Sequence, residues 1–167
     1  PHNGAYLLAR DLSFECIVND ALTQWALSPD AVAQTLTHEM AHMFGALHSD
    51  SPASAMYPAS VSPPSFTFDE ANRAIIQRHK WQDMSTGVMS LDEPELLGLI
   101  QDYRTMQATG EIDNGARLEE ARAHLALAKL YQRRRDPERS AEEARQVLVI
   151  GEPAEIAAEA QEMLGTP

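Results

Sequence analysis

Residues 38–48 read His-Glu-Met-Ala-His-Met-Phe-Gly-Ala-Leu-His, and this spacing restricts the local fold more than any other stretch of the chain. His38 and His42 are four apart, so on a helix both imidazoles project from one face and can chelate one ion. Glu39 follows the first histidine, where it can hold a metal-bound water rather than the metal. Gly45 lets the chain leave the helix through a backbone conformation that a residue with a Cβ resists, and the turn brings His48 back as a third ligand. A helix must therefore begin upstream. Ser28-Pro29-Asp30 supplies the start, with proline in the first turn and aspartate placed for the helix dipole. Val32, Leu36, Met40, Met43 and Phe44 recur at helical spacing, which predicts a helix from Ala31 to about Gly45.

Three neutral imidazoles suit zinc and leave a fourth position open for water, the arrangement of a catalytic rather than a structural site. Zinc brings the pKa of such a water towards neutrality and polarises a scissile carbonyl, and Glu39 is then the general base. The competing reading is a histidine pair on a helix surface with a solvated glutamate beside it. Gly45 and His48 in register weigh against that reading.

Downstream, Ser54-Ala55-Met56-Tyr57-Pro58 places a methionine eight residues after His48. Together with the histidine pattern, this segment resembles the Met-turn of the metzincin zinc metallopeptidases. The region from about Ser28 to Lys80 is most similar to the C-terminal subdomain of their matrixin (matrix metalloproteinase-like) branch. Ser49 after the third histidine, the interval to Met56 and the Met56-Tyr57-Pro58 continuation carry the likeness. Phe14 and Trp25 are similar to the last sheet strand and the tryptophan before the active-site helix. The resemblance implies a zinc-dependent endopeptidase acting on protein or peptide substrates, with one catalytic zinc on His38, His42 and His48 and Glu39 as general base. It implies Met56 as the Met-turn floor, Gly45 as the structural turn, and Tyr57 and Pro58 at the pocket for the side chain after the cleaved bond. Ser51 stands where an acidic residue is usual, with Asp50 one step early, and Ser60 stands where an aromatic is expected. Calcium is a second candidate ion for which no ligand pattern is readable.

Around this site the expected fold is mostly α with an α+β remnant. Short strands within Ala5–Ala9 and Leu12–Val18 precede the zincin active-site helix and Met-turn. Thr67-Phe68-Asp69-Glu70 reads as a capping box, which predicts a closing helix to about Lys80 with Ala71, Ala74, Ile75 and Arg78 on its amphipathic face. The edge strand Ala5–Ala9 is a candidate for pairing with an extended substrate. Only 37 residues precede His38, fewer than the sheet of a metzincin needs. The expectation is a partial catalytic domain over 1–81, belonging to a longer or processed protein or completed by other helices or another copy. Residues 82–92, polar and Gly/Ser-containing, read as a linker, with Met84 and Met89 as gap-fillers.

From Glu93 the chain becomes Ala/Leu/Glu/Arg-rich, with helices expected at about 93–108, 116–135, 137–150 and 153–164, forming a small bundle over 93–167. Leu127-Ala128-x-x-Tyr131, Asp136, Ser140, Ala144 and Val147 resemble one tetratricopeptide-type helix pair, which implies a surface for a protein partner; a generic helical hairpin is the alternative. His2, His79 and His124 fall outside the metal pattern and read as surface or core histidines.

The net charge of −12 argues against nucleic acid or an anionic membrane as the main partner. Arg133, Arg134 and Arg135 form the one basic cluster and read as a helix C-terminal turn. The single cysteine, Cys16, leaves neither an internal disulfide nor a cysteine metal site. No apolar run reaches the roughly 20 residues of a membrane span, and no targeting signal is visible. A secreted or extracytoplasmic location is the expectation. The second functional reading is a catalytically silent, zinc-stabilised scaffold whose helical part binds a partner.

Overall fold

A computed structural model describes residues 6–7, 16–17, 29–59, 63–83, 85–109, 115–151 and 153–165. The chain divides into two compact units, Pro1–Gln77 and Arg78–Pro167. Among the described residues the architecture is mostly helical, and no helix is long and apolar enough to cross a membrane.

In the first unit, strands β1 (Tyr6–Leu7) and β2 (Cys16–Ile17) pair antiparallel, with Tyr6 opposite Ile17 and Leu7 opposite Cys16. The rest of the two expected strand segments lies outside the described residues, as do His2, Phe14, Trp25, Ser60 and Met84. Helix α1 (Pro29–His42) begins with Pro29 and Asp30 in its first turn. It ends one turn before Gly45, and the exit has a definite form. Gly45 takes φ 75°, its N–H bonds to the His42 carbonyl at 3.0 Å, and Ala46 N–H reaches back to the Ala41 carbonyl at 3.2 Å. This is a Schellman ending, and it brings Ala46 against Ala41, as such endings do. Both alanines are buried with Met56, and Phe68 and Ile76 pack on them.

Helix α2 (Glu70–His79) follows the loop. The expected Thr67–Glu70 capping box is not what starts it. The Thr67 hydroxyl donates to the Ala53 carbonyl at 3.0 Å, while the Asp69 carboxylate accepts the Asn72 N–H at 2.9 Å. A carboxylate is the stronger acceptor at a helix N-terminus, and the threonine is already engaged by the preceding loop. Of the expected face, Ile75 is fully buried and Ala71, Ala74 and Arg78 are half-buried, while Asn72, outside it, is fully buried as well.

The second unit contains a short 3₁₀ turn (Val88–Ser90) and helices α3 (Glu93–Thr109), α4 (Gly115–Arg133), α5 (Pro137–Ile150) and α6 (Ala154–Gly165). Each helix packs on the next in sequence, and α4 also meets α6. Flanked this way, α4 is buried on nearly every side, and Leu125, Ala128, Ala144, Val147 and Ala160 form a core cluster. Met89 packs on that cluster and Leu91 is buried, so this part of the segment read as a linker is seated on the helical unit. Helix α5 starts at Asp136, whose side chain accepts the Arg139 N–H with Pro137 next, and ends at Gly151 in the left-handed region. Of the arginine cluster, Arg133 closes α4, Arg134 pairs with Glu93, and Arg135 takes φ 59°.

Candidate metal centre

The helix and its Schellman exit bring His38, His42 and His48 together, with one potential ligand atom from each lying within 4.8 Å of the others. Ring centroids are 4.8 Å apart for His38 and His42, 4.9 Å for His42 and His48, and 5.2 Å for His38 and His48. His38 Nδ1 lies 2.8 Å from the Ala55 carbonyl and His42 Nδ1 lies 2.7 Å from the Ala46 carbonyl. A carbonyl only accepts, so both Nδ1 atoms must carry the proton and donate it. Each neutral ring then presents an unprotonated Nε2.

The two Nε2 atoms face each other at 3.1 Å. Two lone pairs at this separation repel, so either a proton shared as a hydrogen bond between the rings or a metal ion must sit between them. Two nitrogens bound at about 2.0–2.1 Å to one tetrahedral ion lie roughly 3.3–3.4 Å apart, close to this spacing. The residues therefore fit a metal ion, and the carbonyl-to-imidazole bonds are the outer contacts that fix a ligand's tautomer and orientation. Burial lowers the His38 pKa below the ordinary histidine value; the Ala55 carbonyl acts against this and the neighbouring His48 adds to it. A neutral ring is the state a metal requires.

The backbone explains why the acceptors stand where they do. Ala46 is the residue that the Schellman ending folds back onto α1, so the exit that releases the helix also orients His42. Ala55 belongs to a pair of successive turns over 51–57, in which Ser54 N–H bonds to Ser51 O and Tyr57 N–H to Ser54 O. Met56 follows, wholly buried against Ala41 and Ala46, which flank His42. Its carbonyl accepts the Ser49 N–H at 3.0 Å, tying the methionine turn to the residue after His48. Glu39 and Tyr57 are half-buried and Pro58 is exposed.

Three further residues complete the frame, and spacing alone did not single them out for it. Asp69 accepts the Ser54 hydroxyl at 2.7 Å and the Asn72 side-chain N–H at 2.9 Å on one carboxylate oxygen. Ser54 Oγ in turn accepts the Met56 N–H at 3.1 Å. Asn72 holds Leu47 by both its N–H (2.8 Å) and its carbonyl (2.9 Å). The one local signal was Asp69 itself, a strong cap residue directly before a helix.

The other described histidines are held differently. His79 is buried between Gln82 Oε1 (2.7 Å) and Tyr103 OH (3.1 Å), and burial lowers its pKa against the effect of the Gln82 bond. His124 Nδ1 lies 2.6 Å from Glu143, and its Nε2 faces Arg104 at 3.3 Å. It borders a groove of about 410 Å³ in the second unit, which Leu97, Ile100, Glu142 and Glu143 also line.

No family model, curated protein or solved structure matches the chain.

Proposed function

We propose that the chain carries the zinc site of a metzincin-type, matrixin-like endopeptidase that hydrolyses peptide bonds in proteins. The observation that carries this reading is the convergence of the His38 and His42 Nε2 atoms, with both Nδ1 atoms committed to backbone carbonyls. An all-nitrogen donor set of three neutral imidazoles favours zinc over the oxygen-seeking calcium and magnesium. When bound, zinc supplies a Lewis acid that polarises the scissile carbonyl and acidifies water. His38, His42 and His48 would hold the ion. Glu39 takes the proton that the attacking water gives up and returns it to the leaving amine. Tyr57 and Pro58 border the space for the substrate side chain after the cleaved bond.

The test combines metal analysis with cleavage of an unstructured protein substrate. The expected result is one zinc per chain in both the wild type and Glu39→Ala. The variant should lose activity by roughly 10²–10⁴-fold, the usual contribution of a general acid–base. A wild-type chain that binds no zinc when offered one equivalent overturns the proposal.

The second reading, a silent zinc-stabilised scaffold, is favoured by the groove on the helical unit. There half-exposed Leu97 and acidic Glu142 offer apolar and charged contacts to a protein partner. A wild type that binds zinc, cleaves nothing, and captures a partner through that groove would select this reading.

A further inference from the structure

Asn72 is wholly buried, and both donors of its amide are used. Its Oδ1 accepts the Leu47 N–H at 2.8 Å, and its Nδ2 donates to the Leu47 carbonyl at 2.9 Å. The second Nδ2 hydrogen goes to Asp69 Oδ2 at 2.9 Å. Asp69 accepts only, so the amide orientation is determined: the nitrogen faces the carboxylate, and a flipped amide would set oxygen against oxygen. Asp69 is itself anchored by the Asn72 backbone N–H and by Ser54.

The geometry at Leu47 is that of one rung of a strand pairing made by a side chain. One residue is gripped by its donor and its acceptor together. The Leu47 carbonyl belongs to the peptide bond that ends at the nitrogen of His48, so fixing that carbonyl fixes the plane from which His48 departs. His38 and His42 are oriented through their rings by backbone carbonyls, whereas here the grip falls on the main chain just before the ligand. A buried asparagine costs free energy unless its polar atoms are matched, and all of the matching here falls on the ligand loop and the helix cap.

We infer that Asn72 is the positioning residue for the third metal ligand, its side-chain amide clamping Leu47 so that His48 stays within reach of the ion. The inference rests on the metal-site reading above.

The test uses cobalt(II) as a spectroscopic stand-in for zinc in the full chain, with Asn72→Leu, Asn72→Asp and His48→Ala beside the wild type. Asn72→Leu keeps an approximate volume without polar atoms. Asn72→Asp keeps the shape and the acceptor for Leu47 N–H but removes the donors to the Leu47 carbonyl and to Asp69, so its folding is checked before its metal affinity is read. Circular dichroism first establishes which variants are folded. Folded Asn72 variants are expected to lose metal affinity by roughly 10–100-fold, the usual effect of removing a group that orients a ligand. Their cobalt absorption should move towards that of His48→Ala.

A merely structural asparagine would lower the melting temperature and leave the spectrum of the folded, loaded protein unchanged. That result overturns the inference. Where Asn72→Leu does not fold, Asn72→Asp decides. A wild type that takes up no cobalt overturns the metal-site reading and this inference with it. A wild type that loads normally, alongside a folded Asn72 variant with the same affinity and spectrum, overturns this inference alone.

Discussion

Asp69 is a half-buried carboxylate that receives hydrogen bonds from Ser54 and twice from Asn72. Burial acts to raise its pKa, but the bonds from Asn72, Ser54 and Ser49 outweigh it, and the net shift is downward. The sign for stability follows from that direction. Above the ordinary carboxylate pKa the ionised form gives its full contribution to the folded state. That contribution is lost as pH falls towards the lowered folded value. Denaturant midpoints should therefore decline as pH falls through the carboxylate range, and Asp69→Asn should flatten that decline while lowering stability at neutral pH. An unchanged acid profile in Asp69→Asn would assign the acid sensitivity elsewhere.

At the same scale, His38, His42, Gly45 and His48 were legible because their relation is local: a helix fixes the first pair and a positive φ fixes the turn. Asn72 was not. Its partner Leu47 lies 25 positions away, and nothing in the composition near Asn72 announces the pairing. Asp69 was visible as part of a helix start, yet its bond to Ser54, 15 positions away, is also set only by the tertiary fold.

Among the elements, the helices of the second unit follow the sequence punctuation closely. Asp136-Pro137 and Gly151 act through caps that need only neighbouring residues. Where expectation and structure part, a loop has intervened. The Thr67 hydroxyl bonds to Ala53, so the cap passes to Asp69. The small residues expected at a helix crossing have a measurable role. Ala128 and Ala144 are fully buried between α4 and α5, and Ser140 Oγ donates to the Ala128 carbonyl at 2.9 Å. Such a contact leaves no room for branches. Ala144→Leu is expected to cost about 1–3 kcal/mol by overpacking, read from urea denaturation of the helical signal. A cost near zero would mean that the two helices can separate freely.

At the scale of the whole molecule, two compact units share one chain, and the three candidate metal ligands all lie in the first. Ligand binding stabilises what it binds by mass action, about 2.7 kcal/mol at a hundredfold excess over Kd. Zinc is therefore expected to slow amide exchange over α1, the 43–57 loop and the start of α2, and a chelator should reverse this. Exchange in those segments that ignores zinc would count against the site. The mostly helical class could be read from the sequence because most of the chain is locally periodic, whereas the route by which α2 supports the loop before His48 depends on contacts between distant residues.

The two bonds that orient His38 and His42 have one property in common: their acceptors are main-chain oxygens, of Ala55 and Ala46. A substitution replaces a side chain but leaves a carbonyl in place. Ala46 and Ala55 are each 1% exposed, so these positions limit size, but the chemistry they lend to the rings is independent of residue identity. The aim of two of the three candidate ligands is thus insulated from point mutation. On the inference drawn above, the bearing of His48 depends in addition on the Asn72 side chain, which a single codon change can remove.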